Sequence, residues 1–195
     1  MTAGSLMRKI IVSTSVSLDG YMEGPDHDLS WHRVDEEVHA HFNEVLGAMS
    51  VFLDGRVTHE LMADFWPTAD EDPEAPAAVA EFARIWRETP KIVFSRTLQH
   101  DPWTADIRRE VVPEDIRELQ AQPGGDMVVG GANLADSFRR HDLIDEYRIY
   151  VHPVLVGAGT RWFRPSEGPA SLELLETHTF GNGVVLLRYG RPSPA

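Results

Sequence analysis

The stretch Asp126-Met127-Val128-Val129-Gly130-Gly131-Ala132-Asn133-Leu134-Ala135-Asp136-Ser137-Phe138 changes its periodicity in the middle. Met127, Val128 and Val129 make an unbroken apolar run bounded by glycine, which suits a short strand buried on both faces. From Leu134 the apolar positions Leu134, Ala135 and Phe138 fall at helical spacing. A strand therefore passes directly into a helix through Gly130-Gly131. Without Cβ atoms there, the backbone can turn sharply and a ligand can come close. The unpaired N–H groups of the first helical turn, with Asn133 beside them, suit an anion such as a phosphate. The motif falls short of the full G-x-G-x-x-G fingerprint, and a plain strand-to-helix turn reads the same way.

Working outward, the arrangement recurs. Ser50 to Leu53 reads as a strand, and Asp54-Gly55-Arg56-Val57-Thr58 follows it with a glycine and a helix start, adding an Arg and a Thr as donors for phosphate oxygens. That helix runs through His59, Leu61 and Met62 and stops near Trp66-Pro67. Lys91 to Phe94 is another buried strand, ending in Ser95-Arg96-Thr97. The β-branched run from Arg8 to Ser13 is a central strand, followed by a polar loop, residues 14–21, that holds Asp19-Gly20.

Between these joints the spacing predicts helices over 34–49, with Asp35 as its cap, over 77–87 and over 114–122, and a short strand over 110–112. Later come a long strand over 145–156, broken or bulged at Pro153, and a hairpin of strands over 172–179 and 183–189. Trp162-Phe163 reads as cover for a pocket or for the core. Strand and helix alternate throughout, which makes this an α/β protein with one domain over residues 7–190. Residues 1–6 are expected as a disordered leader and 191–195 as a frayed tail. No internal repeat or linker is visible.

The composition narrows the function. A formal charge of -13, from 31 acidic against 18 basic residues, argues against nucleic acid and against an anionic membrane surface. A small anionic ligand remains possible where a few arginines gather. With no cysteine there is no thiolate nucleophile and no zinc site of the cysteine type. His39 and His41, two apart on a helix, point to different faces and do not share a metal. There is no apolar run of spanning length and no secretory pattern at the start, so the cytoplasm is the expected compartment.

The motifs Ser17-Leu18-Asp19-Gly20, Asp54-Gly55-Arg56-Val57-Thr58, Val93-Phe94-Ser95-Arg96 and Val128-Val129-Gly130-Gly131-Ala132, in this order, resemble those of the dihydrofolate-reductase-like superfamily. Within it the chain looks most similar to the reductase domain of bifunctional riboflavin-biosynthesis proteins and its stand-alone relatives, over about residues 7–190. The resemblance implies a mixed, mainly parallel central sheet flanked by helices, with NADPH lying across the strand ends. By position, Gly55, Arg56 and Thr58 match contacts to the cofactor phosphates. Ser95 and Arg96 match the adenosine ribose and its 2′-phosphate, and Gly130, Gly131, Ala132, Asn133 and Leu134 match the pyrophosphate. An arginine beside a 2′-phosphate favours NADPH over NADH.

The implied activity is hydride transfer from NADPH to a small heterocycle of pyrimidine or pteridine type, resembling 5-amino-6-(5-phosphoribosylamino)uracil reductase. Tyr21 stands where riboflavin reductase domains commonly carry a lysine. Asp19 is the first choice for a proton donor and Tyr21 the second; otherwise Asp19 only caps its loop. If Asp19 is the acid, Asp19→Asn leaves NADPH affinity intact and lowers turnover. The acceptor would lie between the loop of residues 16–21, the helix beginning near Asp35 and the Trp162-Phe163 pair. Other readings are a dihydrofolate-reductase-type activity, a non-catalytic nucleotide-binding module, and an unrelated flavin- or phosphosugar-binding protein. A homodimer through the late strands is also expected.

Overall fold

A computed structural model describes residues 7–165 and 168–192. The expected leader therefore lies outside the described residues, as do the last three residues of the expected tail. Arg191, within that tail, is tied down: its Nε donates to Ile144 O at 2.8 Å and its Nη1 to Asp142 at 3.0 Å.

The chain forms β1 (Ile10–Ser17), β2 (Tyr21–Glu23), α1 (Glu36–Gly47), β3 (Val51–Gly55), α2 (Arg56–Phe65), α3 (Ala77–Glu88) and β4 (Lys91–Phe94). It continues with β5 (Asp106–Arg108), α4 (Pro113–Ala121), β6 (Met127–Gly130), α5 (Ala132–Arg140), β7 (Glu146–His152), β8 (Thr160–Arg161), β9 (Glu173–Thr179) and β10 (Val185–Gly190). The main sheet has eight strands in the order β5-β4-β3-β6-β1-β7-β10-β9, and β2 pairs separately with β8. Neighbours from β5 to β7 pair in parallel, while β10 runs antiparallel to both β7 and β9. This is the mixed, mainly parallel sheet that the resemblance implied.

Strand alternation divides the core between the two faces. Ile10, Val12, Leu53, Met127 and Val129 face α4 and α5, where Ile116, Leu119, Ala135 and Phe138 meet them. Ile11, Phe52 and Val128 point the other way, against Phe82, Ile85 and Trp86 of α3. Both faces are covered, which is why the central strands read as continuous apolar runs. Helix α1 starts as expected, with the Asp35 carboxylate accepting from Val38 N at 3.0 Å.

Two expectations are corrected, and two that left alternatives open are settled. Residues 14–17, expected in a loop, continue β1, because the ladder with β7 runs unbroken from Ile11 opposite Glu146 to Ser17 opposite His152. Backbone pairing sets that strand's length, and its polar side chains do not oppose it. The fifth strand lies at Asp106–Arg108 and not at 110–112; there Ala105 N donates to Lys91 O at 2.8 Å and Ser95 N to Arg108 O at 2.9 Å, binding it to the edge of β4. The strand over 145–156 ends at His152, immediately before Pro153, which has no N–H for the ladder. Trp162 belongs to the core, 5% exposed among the residues over α5, while Phe163 faces outward at 51%.

Candidate active site

The sheet order decides what the joints can do. β4, β3 and β6 are adjacent, so the carboxyl ends at Ser95-Arg96, Gly55-Arg56 and Gly130-Gly131 lie side by side. Open α/β sheets bind ligands at this edge. A cleft of about 540 Å³ opens there, lined by Gly55, Arg56, Thr58, Ser95, Arg96, Gly131, Ala132, Asn133 and Leu134 among others. Nine of the ten expected cofactor residues thus share one cleft.

The tenth, Gly130, forms the packing beneath. It sits opposite Asp54 in the β3–β6 register, and a Cβ on it would overlap Asp54 Oδ1 and press on Thr58 Cγ2 at 3.3 Å. Gly131 has φ +93°, a left-handed conformation that suits glycine, and a Cβ there would stand 2.6 Å from Thr58 Oγ1. The two glycines let α2 and α5 begin close together. Neither helix start is capped by a side chain, so their first-turn N–H groups remain for a ligand.

The cleft gathers four guanidinium groups, Arg56, Arg96, Arg109 and Arg164, in a protein of net charge -13. Three are engaged. Arg56 pairs with Glu60 at 2.6 Å, Arg109 donates to Ser95 O at 2.9 Å and to Leu98 O at 2.6 Å, and Arg164 donates to Asn133 Oδ1. Arg96 is exposed and makes no hydrogen bond or ion pair among the described residues. Ser95 Oγ accepts from Thr97 N at 3.2 Å and Leu98 N at 2.9 Å, closing the turn that presents Arg96. Met22, Glu23, His27 and Thr160 also line it, with His27 Nδ1 2.9 Å from the Glu23 carboxylate.

Asp54 lies under this floor, 6% exposed, and its carboxylate accepts no hydrogen bond among the described residues. Burial pushes its carboxyl up to about 6, against the pull of His59 and Lys91. The Lys91 ammonium is itself spent on Trp86 O and, at 2.7 Å, on Thr89 O.

The two residues offered as proton donors do not line the cleft. The Asp19 carboxylate accepts from Ser17 Oγ at 2.6 Å, from Gly157 N at 2.8 Å and from Val156 N at 3.1 Å. The Ser17 bond, with those two backbone bonds, holds its carboxyl down at about 2. At neutral pH it is ionised and has no proton to give. The Tyr21 hydroxyl donates to Gly157 O at 3.2 Å, and its ring lies under the Arg161 guanidinium at 4.6 Å. Both serve to join the Ser-Leu-Asp-Gly loop to the segment after β7. Arg109, Thr160 and Arg164 are lining residues that the sequence did not single out, since no motif marks them and only the fold brings them to the strand ends.

A single α/β domain with this sheet order and cleft is a dihydrofolate-reductase-like fold. The RibD C-terminal domain family model matches residues 8–186, and the chain belongs to that family. It is 31% identical over 190 residues to the uncharacterized protein YyaP of Bacillus subtilis (strain 168), covering 97% of this chain and 98% of that one. A crystal structure of a Shewanella sp. PV-4 protein named for riboflavin biosynthesis superposes with a TM-score of 0.71 at 22% identity, over 95% of this chain and 99% of that one. The Thermotoga maritima diaminohydroxyphosphoribosylaminopyrimidine deaminase/5-amino-6-(5-phosphoribosylamino)uracil reductase gives 0.64 at 15% identity, over 95% of this chain and 57% of that longer one. At these identities the structures establish the shared fold. The chain is riboflavin-biosynthesis-reductase-like. Among the described residues no helix is long and apolar enough to cross a membrane.

Proposed function

We propose that the protein is an NADPH-dependent reductase that passes hydride to a small heterocycle of pyrimidine or pteridine type. The observation that carries this reading is the meeting of three strand ends in one cleft, with the unpaired Arg96 guanidinium at its rim. The residues fit the cofactor: two uncapped helix starts and the glycine cradle suit a pyrophosphate, and Arg96 suits a 2′-phosphate. When bound, NADPH supplies the hydride; the chain's own groups bind and orient it.

Titrating NADPH and NADH against the five tryptophans by fluorescence tests the binding. NADPH should bind more tightly, and Arg96→Ala should narrow the preference by about tenfold, the loss of one charge-assisted contact. Equal or absent affinity in the wild type would sink the assignment. Turnover is tested by NADPH absorbance with pteridines, dihydrofolate and ribosylated aminopyrimidines. Since neither Asp19 nor Tyr21 offers a free proton to the cleft, NADPH binding without turnover of any of them favours the non-catalytic nucleotide module.

We also propose a homodimer of two copies of this chain. β9 ends the sheet and is exposed along all seven residues, with Leu172, Leu174 and Leu175 at 42%, 53% and 48%. An uncovered edge of that length, with exposed leucines in it and beside it, invites pairing with another strand. Light scattering at micromolar concentration should give twice the 21.9 kDa chain mass, and a monomer mass would remove the claim.

A further inference from the structure

We infer that Arg164 is a ligand for the pyrophosphate of the dinucleotide and that Asp19 and Tyr21 are positioning residues that deliver it. This rests on the cofactor reading above. The Ser-Leu-Asp-Gly loop grips a segment 137 residues away, beside the β2–β8 pair.

The segment from Val156 to Trp162 is pinned along its length. Asp19 holds the N–H groups of Val156 and Gly157, and Tyr21 holds the carbonyl of Gly157. Arg161 donates to Asp19 O at 3.1 Å and stacks on Tyr21, and Trp162 N donates to Gly20 O at 3.1 Å. Gly159, at φ +124°, lies so close to Glu23 and Gly24 that a Cβ would collide with their backbone. The Trp162 side chain is sunk in the core. Two residues beyond this anchor, Arg164 reaches the cleft and donates to Asn133 Oδ1 in the first turn of α5.

A loop fixed this firmly places a guanidinium where a flexible one would lose entropy on binding. Asn133 is a neutral partner, so exchanging it for an anionic oxygen strengthens the bond. The carboxylate of Asp19 works through this scaffold; kept ionised, it accepts two backbone N–H bonds from the segment.

The test is a set of binding and rate measurements on Arg164→Gln, Arg164→Lys, Asp19→Asn and Tyr21→Phe. Arg164→Gln should raise the Kd of NADPH and of NADH by the same factor, about tenfold or more for a lost charged hydrogen bond. Arg164→Lys should recover part of it. Asp19→Asn and the milder Tyr21→Phe should weaken both dinucleotides while leaving turnover at saturating NADPH near wild type. Asp19→Asn combined with Arg164→Gln should be no worse than Arg164→Gln alone, because both act on one contact.

Unchanged dinucleotide affinity in Arg164→Gln overturns the assignment, and so does a shift in the NADPH-to-NADH ratio, which would move the contact to the 2′-phosphate. Full affinity with lost turnover in Asp19→Asn restores the acid reading and overturns the positioning role. If the wild type binds neither dinucleotide, the cofactor reading fails separately. Inorganic pyrophosphate then decides: stabilisation of the wild type but not of Arg164→Gln supports the anion role, and stabilisation of neither overturns it.

Discussion

Gly131→Ala should destabilise the fold by about 2–6 kcal/mol and abolish dinucleotide binding at accessible concentrations. Two independent penalties meet at this residue. Its φ of +93° is a region that alanine enters at a cost of about 1–3 kcal/mol. The added methyl would stand 2.6 Å from Thr58 Oγ1, and relieving that overlap means turning the crowded Thr58 side chain or shifting α2 from α5, a strain of about 1–3 kcal/mol more. Either change alters the joint between the helix starts that the pyrophosphate would bridge. Gly157→Ala is the control, since Gly157 also has positive φ, at +78°, but nothing lies within 4 Å of a Cβ there. It should show the conformational penalty alone. Urea unfolding of both variants, beside a fluorescence titration with NADPH, separates the contributions. Wild-type stability in Gly131→Ala would mean that the strained backbone and the Thr58 contact at this joint are wrong.

That glycine was legible in the sequence because an apolar run and a helical repeat meet there with no other residue type able to make the joint. The cap at Asp35 and the buried start of β1 were legible for the same reason: each is a local rule satisfied by local residues. What the sequence did not contain was adjacency. β6 enters between β1 and β3 only in the folded sheet, and this insertion brings the Gly55 and Gly131 joints together beside Arg96. The end of β1 is not legible because Thr14, Ser15 and Ser17 look like loop residues, while their strand is imposed by β7. β5 has one apolar residue, Ile107, between two charged ones, too little pattern to place a strand. Asp19 reads as an acid from its motif; the three donors around its carboxylate, two of them from the distant segment at Val156 and Gly157, are beyond any spacing rule.

Asp54→Asn should make the protein more stable at neutral pH, by about 3 kcal/mol at most. Asp54 is buried beneath the Gly55 and Gly130 joints, and burial raises its carboxyl from an ordinary 3.8 to about 6 in spite of His59 and Lys91. Below about pH 4 both the folded and the unfolded chain keep the proton, and Asp54 does not distinguish them. Between about 4 and 6 the folded chain holds a proton that the unfolded chain releases, so stability falls as pH rises through this window. Above about 6 the loss is complete, because an ionised carboxylate without a hydrogen-bond donor is then trapped in the interior. Asparagine has nearly the same shape and cannot ionise, which removes the dependence and leaves Lys91 on its two carbonyl acceptors. Other acidic groups titrate over the same range, so the quantity to measure is the difference in unfolding free energy between variant and wild type, from about pH 4 to about pH 8. The difference should be small at the acid end, grow in favour of the variant up to about pH 6 and then level off. A difference that is flat across the range, or that favours the wild type at neutral pH, would show that the carboxylate is paired or hydrated where the structure leaves it alone.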